Sequence, residues 1–234
     1  MYINASNETM LLVIKFKLRG ALRFLSHAEM LRVFQRACVR AGISVHYSQG
    51  FNPRPRISLP LPRPVGVESD DELLCLRVAA ETDELRVTNY ESRINAEFST
   101  QLPEGCELIS VNTAQAGRSF QPCSATYVFA LPPEYLNEGL RARVQLLLAS
   151  ESLNVQRQIE KKYSKFKTQN SKLKNVDVRK FLKSIKLDDR SIIVECNISS
   201  AGSIRIDEIL RLLELDEEKL ASAIRRTNVH WQAD

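Results

Sequence analysis

The sequence predicts an α+β protein made of two β-α-β-β-α-β units with antiparallel sheets. Three observations support this prediction. Strand-like and helix-like apolar periods follow one another in that order over residues 8–115, and they recur less regularly over residues 120–234. A short polar segment containing glycine, residues 112–120, separates the two halves. A chain of 234 residues with 44% apolar side chains is long enough for two such units.

The first unit is predicted to open with a strand over residues 10–18, which alternates apolar and polar side chains from Val13 onward. A helix follows, because Ser26 and Glu29 form an S-x-x-E capping box and Gly42 is a typical residue just beyond a helix C-terminus. The apolar face of this helix has helical spacing and consists of Met30, Phe34, Ala37, Cys38 and Ala41. The remaining predicted elements are two strands, a helix and a strand, over residues 57–61, 73–78, 88–99 and 106–112.

The second half is predicted to repeat this order. Its elements are a strand, a helix starting at two prolines, a hairpin, a helix and a strand, over residues 125–131, 132–149, 182–187 with 191–198, 206–215 and 224–231. A basic insert over residues 154–180 is expected to hold one strand and a mobile loop. This element order is that of the ferredoxin-like fold, so we predict two ferredoxin-like units, the second of them diverged.

The cysteines and histidines exclude several common kinds of site. No two of the five cysteines are closer than 17 residues in the chain, which excludes a zinc ribbon, and their odd number argues against a disulfide framework. The three histidines have no carboxylate cluster near them, so no metal site is predicted. We expect the cysteines to be small buried apolar residues: Cys38, Cys75, Cys106, Cys123 and Cys196.

The N-terminal residues lack the charged region, long apolar core and cleavage site of a signal peptide. The apolar runs of the chain are shorter than the roughly 20 residues that a transmembrane helix needs. We therefore expect a cytoplasmic protein that has no membrane partner.

Positive charge is concentrated in two blocks. Residues 15–63 have a net charge of +9 and residues 155–190 of +8, whereas the whole chain has +5, so the remaining residues are acidic. Such a distribution steers anionic partners toward the basic faces. The second block is equally consistent with a solvated loop, whereas arginine dominates the first block and favours a binding role.

Residues 23–63, which we call the signature segment, contain seven arginines and four prolines but only one acidic residue. Arg32, Arg36 and Arg40 recur every four residues along the predicted helix. Like charges at this spacing repel by about a few tenths of a kcal/mol per pair unless an anion lies nearby. Solvent exposure on an amphipathic helix is the alternative explanation for this stripe.

The loop that follows is predicted to be stiff, because each proline at 53 and 55 restricts the residue before it to extended conformations. Phe24, Tyr47 and Phe51 are available to stack on bases, although core packing is the expected role of Phe24 and Phe51. We predict that the segment binds an anion, with RNA as the favoured ligand. The predicted ligand residues are Arg23, Ser26, His27, Arg32, Arg36, Gln49, Asn52, Arg54 and Arg56.

Three strings in this segment carry a resemblance to a known family. R-F-L-S-H at residues 23–27, S-Q-G-F-N-P-R-P-R-I-S at 48–58 and G-V-E-S at 66–69 resemble the signature of the radical-SAM-linked domain of unknown function 2344. The resemblance is close over the first 80 residues and thinner over the second half, at 176–179, 207–210 and 225–227. It implies an accessory part of a radical SAM system. The chain has no C-x₃-C-x₂-C motif, so the partner enzyme would carry the iron–sulfur cluster and S-adenosylmethionine, and no cofactor is expected in this chain.

Three functional hypotheses remain open. The first is a non-catalytic accessory module that binds RNA through its arginine-rich face, and the second is a protein-interaction module that docks on a radical SAM enzyme without nucleic acid. The third is a small stand-alone RNA-processing enzyme that uses His27. His27 is a weak catalytic candidate, because the only nearby carboxylate, Glu29, is expected to serve the capping box.

Overall fold

The computed structural model describes residues 9–80, 84–159 and 172–234. The strands in these ranges are β1 (Thr9–Leu18), β2 (Ile57–Ser58), β3 (Glu68–Ala79), β4 (Cys106–Gln115), β5 (Phe120–Ala130), β6 (Asn154–Ile159), β7 (Lys172–Asp177), β8 (Leu182–Asp188), β9 (Ser191–Asn197) and β10 (Arg225–Ala233). The α-helices are α1 (His27–Arg40), α2 (Glu84–Ser99), α3 (Glu138–Ala149) and α4 (Ile206–Leu213). The predicted α+β class with a mostly antiparallel sheet is confirmed.

The chain divides into two compact units. The first comprises Met1–Cys123 together with Ile224–Asp234, and the second comprises Ser124–Ala223. The predicted domains, 8–115 and 120–234, differ from this division at the last strand, because β10 lies in the first unit. The second unit by itself holds the sheet order β5-β9-β8. The structure therefore does not confirm that the two units are copies of one fold.

The sheet of the first unit follows the order β4-β1-β3-β10. β1 pairs antiparallel with β3 and with β4, and β2 pairs antiparallel with β3. β10 runs parallel to the start of β3, with Arg225 opposite Glu68 and Arg226 opposite Ser69. The sheets were predicted to be purely antiparallel, and this parallel pair corrects that prediction.

The main core of the first unit lies between one face of the sheet and the helices α1 and α2. Phe16 of β1 contacts Phe34 of α1 edge-on, with ring centroids 4.8 Å apart, and Phe34 stacks on Phe98 of α2 at 6.2 Å. The opposite face carries a smaller cluster formed by Leu11, Val13, Leu73 and Cys75, against which Phe120 and Trp231 pack. Alternation of side chains along each strand produces these two faces.

Strand β2 is shorter than predicted. It ends at Ser58, whereas the sequence pattern suggested a strand over residues 57–61. Pro60 and Pro62 explain the difference, because proline has no N–H group to donate to a neighbouring strand. Among the cysteines, Cys38, Cys75 and Cys196 are buried as predicted, whereas Cys106 and Cys123 are half-buried, and all five are free thiols.

The capping box at the start of α1 is confirmed. The Glu29 amide donates to Ser26 Oγ at 3.3 Å, and Glu29 Oε2 accepts from the Ser26 amide at 2.8 Å. These bonds satisfy backbone N–H groups that the helix cannot pair internally. Gly42 follows the helix with φ +66°, the left-handed conformation that ends many helices.

Replacing Ser26 by alanine is expected to lower the free energy of unfolding by about 1 kcal/mol, because the Glu29 amide loses its acceptor. Urea denaturation measures this change. Ser26→Thr keeps the hydroxyl and serves as the control, with an expected loss well below that of Ser26→Ala. Equal unfolding midpoints for the wild type and Ser26→Ala would show that the capping box contributes no stability.

In the second unit, β5 pairs antiparallel with β9, and β9 with β8, as the predicted hairpin requires. The helix predicted from Pro132 onward begins later. A 3-10 turn occupies Pro133–Tyr135, and α3 starts after Asn137, whose side-chain oxygen accepts a hydrogen bond from the Leu140 amide at 3.1 Å. Asparagine is among the most favourable N-cap residues, so α3 begins after Asn137 and not at Pro132 or Pro133.

The basic insert predicted over residues 154–180 contains an antiparallel hairpin of β6 and β7, in which Asn154 lies opposite Asp177. One strand and a mobile loop were predicted, so the described part holds one strand more than expected. Residues 160–171 of the insert lie outside the described residues.

An ion pair links β6 to α4. Arg157 Nε and Nη2 donate to the two carboxylate oxygens of Glu208 at 2.7 and 2.8 Å, and the Arg205 amide also donates to Glu208 at 2.8 Å. Burial raises the pKa of Glu208, but the bonds from Arg157 and Arg205 lower it by more, so the pKa lies below its ordinary value. Hydrogen bonds to the charged form of a carboxylate have this effect.

The depressed pKa of Glu208 makes stability depend on pH. The contribution is complete above the unfolded-state pKa of about 4.3 and is lost as pH falls through the lower folded-state pKa. Urea unfolding between about pH 6 and pH 3 should therefore show a shallower acid loss for Glu208→Gln than for the wild type. Glu218→Gln, at an exposed position, should keep the wild-type slope. Parallel curves for all three proteins would contradict this assignment.

Candidate functional site

The predicted ligand residues are distributed along α1 and do not converge on one point. Arg23, Ser26 and His27 lie at the N-terminal end of the helix. Gln49, Asn52, Arg54 and Arg56 follow its C-terminal end, where the chain turns back and Val45 bridges to Val78. Arg32 and Arg36 lie between the two groups. A helix of 14 residues is about 21 Å long, so the set spans roughly that distance.

Arg23 and Ser26 have partners within the protein. Arg23 Nη1 donates to the Gly20 carbonyl at 3.1 Å and lies 3.8 Å from Glu68 Oε1. The Arg23 guanidinium also lies 4.4 Å from the centroid of the Phe24 ring. Ser26 is occupied by the capping box, where its hydroxyl donates to Glu29 at 2.6 Å. These two residues therefore shape the start of α1, and their capacity for a ligand is reduced.

Arg63 has a structural role in the signature segment. Its Nη1 donates to the carbonyls of Arg23, Pro64 and Val67, and its Nη2 to those of Leu22 and Leu25, at distances of 2.5–3.2 Å. Burial lowers the pKa of the Arg63 guanidinium, although the Glu72 carboxylate opposes this shift. Arg63 thus fastens the loop before β3 to the turn before α1, and its charge is used inside the protein.

His27 is the first residue of α1, as predicted, and lines a small cavity that Arg63 and Glu72 also line. The volume of this cavity is about 20 Å³. A space of this size holds about one water molecule. The cavity is smaller than a nucleotide, and the role of His27 in an RNA-processing reaction stays a prediction.

All three arginines of the α1 stripe are exposed, but Arg40 has hydrogen-bond partners within the protein. Arg40 donates through Nε to the Gln101 side chain at 3.1 Å and through Nη2 to the Gln101 carbonyl at 2.6 Å. Within the part of the chain that the structure describes, Arg32 and Arg36 make no hydrogen bond or ion pair. They are the two cations of the stripe whose donors face solvent.

The loop after α1 is closed by its own backbone. Tyr47 forms a bridge with Pro55, the Ser48 amide donates to the Arg54 carbonyl at 2.8 Å, and the Arg54 amide donates to Ser48 Oγ at 2.9 Å. Gly50 has φ +124°, a conformation that L side chains rarely adopt. The loop therefore presents residues 49–54 to solvent in one fixed arrangement.

The aromatic residues of the segment correct one prediction. Phe24 and Phe51 were expected to pack in the core, yet Phe24 is 58% exposed and Phe51 is fully exposed at the tip of the loop. Tyr47, at the base of the loop, is 54% exposed. Tyr47 and Phe51 thus place two exposed aromatic rings on the loop that also carries Arg54, which suits this loop to stacking contacts, whereas Phe24 lies at the other end of α1.

Arg77 and Arg118, which were not among the predicted ligand residues, line one cavity together with Arg56. A signal for Arg77 was present, because this charge interrupts the apolar run of β3. Arg118 lies in the turn between β4 and β5, where local sequence gives no such signal.

The fold and this surface define a class of protein, a mixed α+β protein of two units that exposes a closed loop with arginine and aromatic side chains. The chain belongs to the family DUF2344, described as an uncharacterized protein conserved in bacteria, whose family model matches residues 12–211. The description names no activity or partner, and the string at 225–227 lies outside the matched residues. A search of curated proteins found no match.

Two further findings concern the described residues alone. No helix in these ranges is long and apolar enough to cross a membrane. No group of three or more His, Cys, Asp or Glu side chains in them is arranged to hold a metal ion.

Proposed function

We propose that this protein is a non-catalytic accessory module that binds single-stranded RNA through α1 and the loop of residues 48–56. The observation that carries this proposal is the tip of the loop, where Phe51 is fully exposed and Arg54, three residues further along the chain, is exposed as well. Exposing a whole phenyl ring to water is unfavourable, whereas stacking a base on such a ring stabilises a complex by about 1–3 kcal/mol.

The spread of the arginines supports a polyanion over a small ligand. The predicted ligand residues extend from Arg23 before α1 to Arg54 beyond its other end, and the helix between them is about 21 Å long, so one small anion does not reach them all. A polynucleotide strand offers phosphates at regular intervals along its length and can contact each cation in turn. The closed loop adds to affinity because its residues lose little conformational freedom on binding.

The accessory role follows from the sequence resemblance. The partner is proposed to be a radical SAM enzyme that carries its own iron–sulfur cluster and S-adenosylmethionine, while this chain supplies contacts to the RNA. We retain in this proposal the interpretation of both units as ferredoxin-like, and the use of such units to hold RNA is analogy at the level of the fold. A cytoplasmic location accompanies the same proposal.

The test is fluorescence anisotropy of a labelled single-stranded RNA titrated with the full chain at about 50 and 200 mM salt. Binding that weakens steeply with salt is expected, because displaced counterions accompany each phosphate contact. Comparison of the affinity for this RNA with that for a DNA strand of the same sequence shows whether the 2′-hydroxyl contributes to binding. Absence of RNA binding at the lower salt would overturn the proposal.

Protein docking without nucleic acid is the other outcome of that test. A pull-down with a radical SAM enzyme from the same organism, performed with and without ribonuclease, distinguishes RNA binding from protein docking. If the enzyme is retained after ribonuclease treatment at moderate salt and the chain binds no RNA, the module is a docking domain.

A further inference from the structure

A cavity of about 340 Å³ lies on the sheet of the first unit, on the face opposite to α1 and α2. This volume is within the range of roughly 300–1,000 Å³ that is common for small-molecule sites. Leu11, Cys75 and Phe120 supply apolar lining, and Leu11 and Cys75 are buried. The cavity is therefore large enough for a small organic molecule and apolar on one side.

Three arginines line this cavity from three different segments. Arg56 precedes β2, Arg77 lies near the end of β3, and Arg118 lies in the turn between β4 and β5. The Arg77 amide donates to the Arg56 carbonyl at 3.0 Å, so these two residues are neighbours across adjacent segments. Ser58 and Ser119 add two hydroxyl groups to the lining.

These guanidinium groups have no counterion in the described part of the chain. Among the described residues, the lining contains no Asp or Glu, and none of the three side chains forms a hydrogen bond or ion pair. Several other arginines of this unit do have a carboxylate partner, such as Arg19, which pairs with Asp70 at 2.7 Å. Like charges that line one cavity repel one another. An oxyanion held among the three side chains would replace this repulsion with attraction.

We propose that this cavity is a binding site for the phosphate group of a small phosphate ester. Arginine presents a planar fork of donors that matches phosphate oxygens in pairs, and several guanidinium groups match the double charge of a phosphomonoester. Ser58 and Ser119 donate additional hydrogen bonds, and the apolar lining receives the organic part. The site is separate from the proposed RNA surface except for Arg56, which belongs to both.

Isothermal titration calorimetry of the full chain tests this site, with inorganic phosphate and AMP as probes and adenosine as the uncharged control. We expect AMP to bind and adenosine to bind much more weakly. Arg77→Gln and Arg118→Gln should each raise the Kd for AMP about tenfold or more, because each removes charge-assisted hydrogen bonds. Arg190→Gln, which removes an exposed arginine between β8 and β9, is the matched control and should leave the Kd unchanged.

A Kd weaker than about 1 mM for both phosphate and AMP would contradict the proposed phosphate site. Equal affinities for adenosine and AMP, or wild-type affinity for AMP in both arginine variants, would contradict it as well. Circular dichroism checks that the variants fold. Arg118 lies in an exposed turn, so Arg118→Gln decides the matter if Arg77→Gln does not fold. A triple variant of Arg32, Arg36 and Arg54 should lose RNA but keep AMP, which separates failure of this site from failure of the RNA proposal.

Discussion

Replacing Arg32, Arg36 and Arg54 together by glutamine is expected to weaken binding of single-stranded RNA by about 100-fold or more at low salt. Arg32 and Arg36 make no hydrogen bond or ion pair in the described part of the chain, and the guanidinium of Arg54 is exposed on the closed loop. Removing them therefore takes away contacts to phosphate without opening the core. Glutamine preserves most of the side-chain length and its packing along the surface.

The salt dependence provides a second measurement of the same effect. Each phosphate contact on a single strand contributes about −0.7 to the slope of log K against log salt concentration, so losing three contacts should make the slope shallower by about 2. Fluorescence anisotropy at several salt concentrations yields both quantities.

Arg190→Gln is the control, because Arg190 is an exposed arginine between β8 and β9, outside the signature segment. It removes one charge and should change affinity little. If the triple variant bound RNA with the affinity and salt slope of the wild type, α1 and the loop would not be the RNA surface.

Replacing Arg226 by methionine is expected to lower the free energy of unfolding by about 3–5 kcal/mol. The Arg226 side chain is fully buried, and its Nη2 donates a hydrogen bond to Glu72 Oε1. Glu72 is itself only 4% exposed. Without the Arg226 guanidinium, Glu72 would remain a buried carboxylate that has lost its hydrogen-bonded cation. Because domains are stable by only about 5–15 kcal/mol, this loss should be evident in the unfolding midpoint.

The neighbouring Arg225 supplies a matched control. Its side chain is 41% exposed and lies 3.6 Å from Asp70, so Arg225→Met should cost about 1 kcal/mol or less. The double variant Arg226→Met with Glu72→Leu removes both charges and should recover most of the stability. Equal losses for Arg226→Met and Arg225→Met in urea denaturation would show that burial does not set the strength of this pair.

The elements that were predicted well are those specified by local signals. The capping box of Ser26 and Glu29 and the glycine at 42 lie within or beside α1, so the helix could be located from a short stretch of sequence. The start of α3 was predicted too early, because two prolines and one asparagine offered competing signals within a few residues. The hydrogen bond from Leu140 to Asn137 resolves that competition.

The position of β10 depends on a contact distant in sequence. Ser69 donates to the Arg226 carbonyl across a separation of 157 residues. Local periodicity identifies such a strand but does not identify its neighbour in a sheet. For this reason the last strand was predicted to belong to the second unit, whereas it lies beside β3 in the first.

The sequence by itself determined the α+β class, the position of α1, and the concentration of arginine and proline in one segment, because these depend on composition and short-range periodicity. Only the tertiary structure decided what each arginine does. Arg54 and Arg63 have the same local sequence, because each lies between two prolines of the signature segment. Arg63 is nevertheless enclosed by backbone carbonyls that lie up to 41 residues away in sequence, whereas Arg54 faces solvent. Burial and hydrogen-bonding partners distinguish a structural arginine from one free to bind an anion, and both arise when distant segments meet.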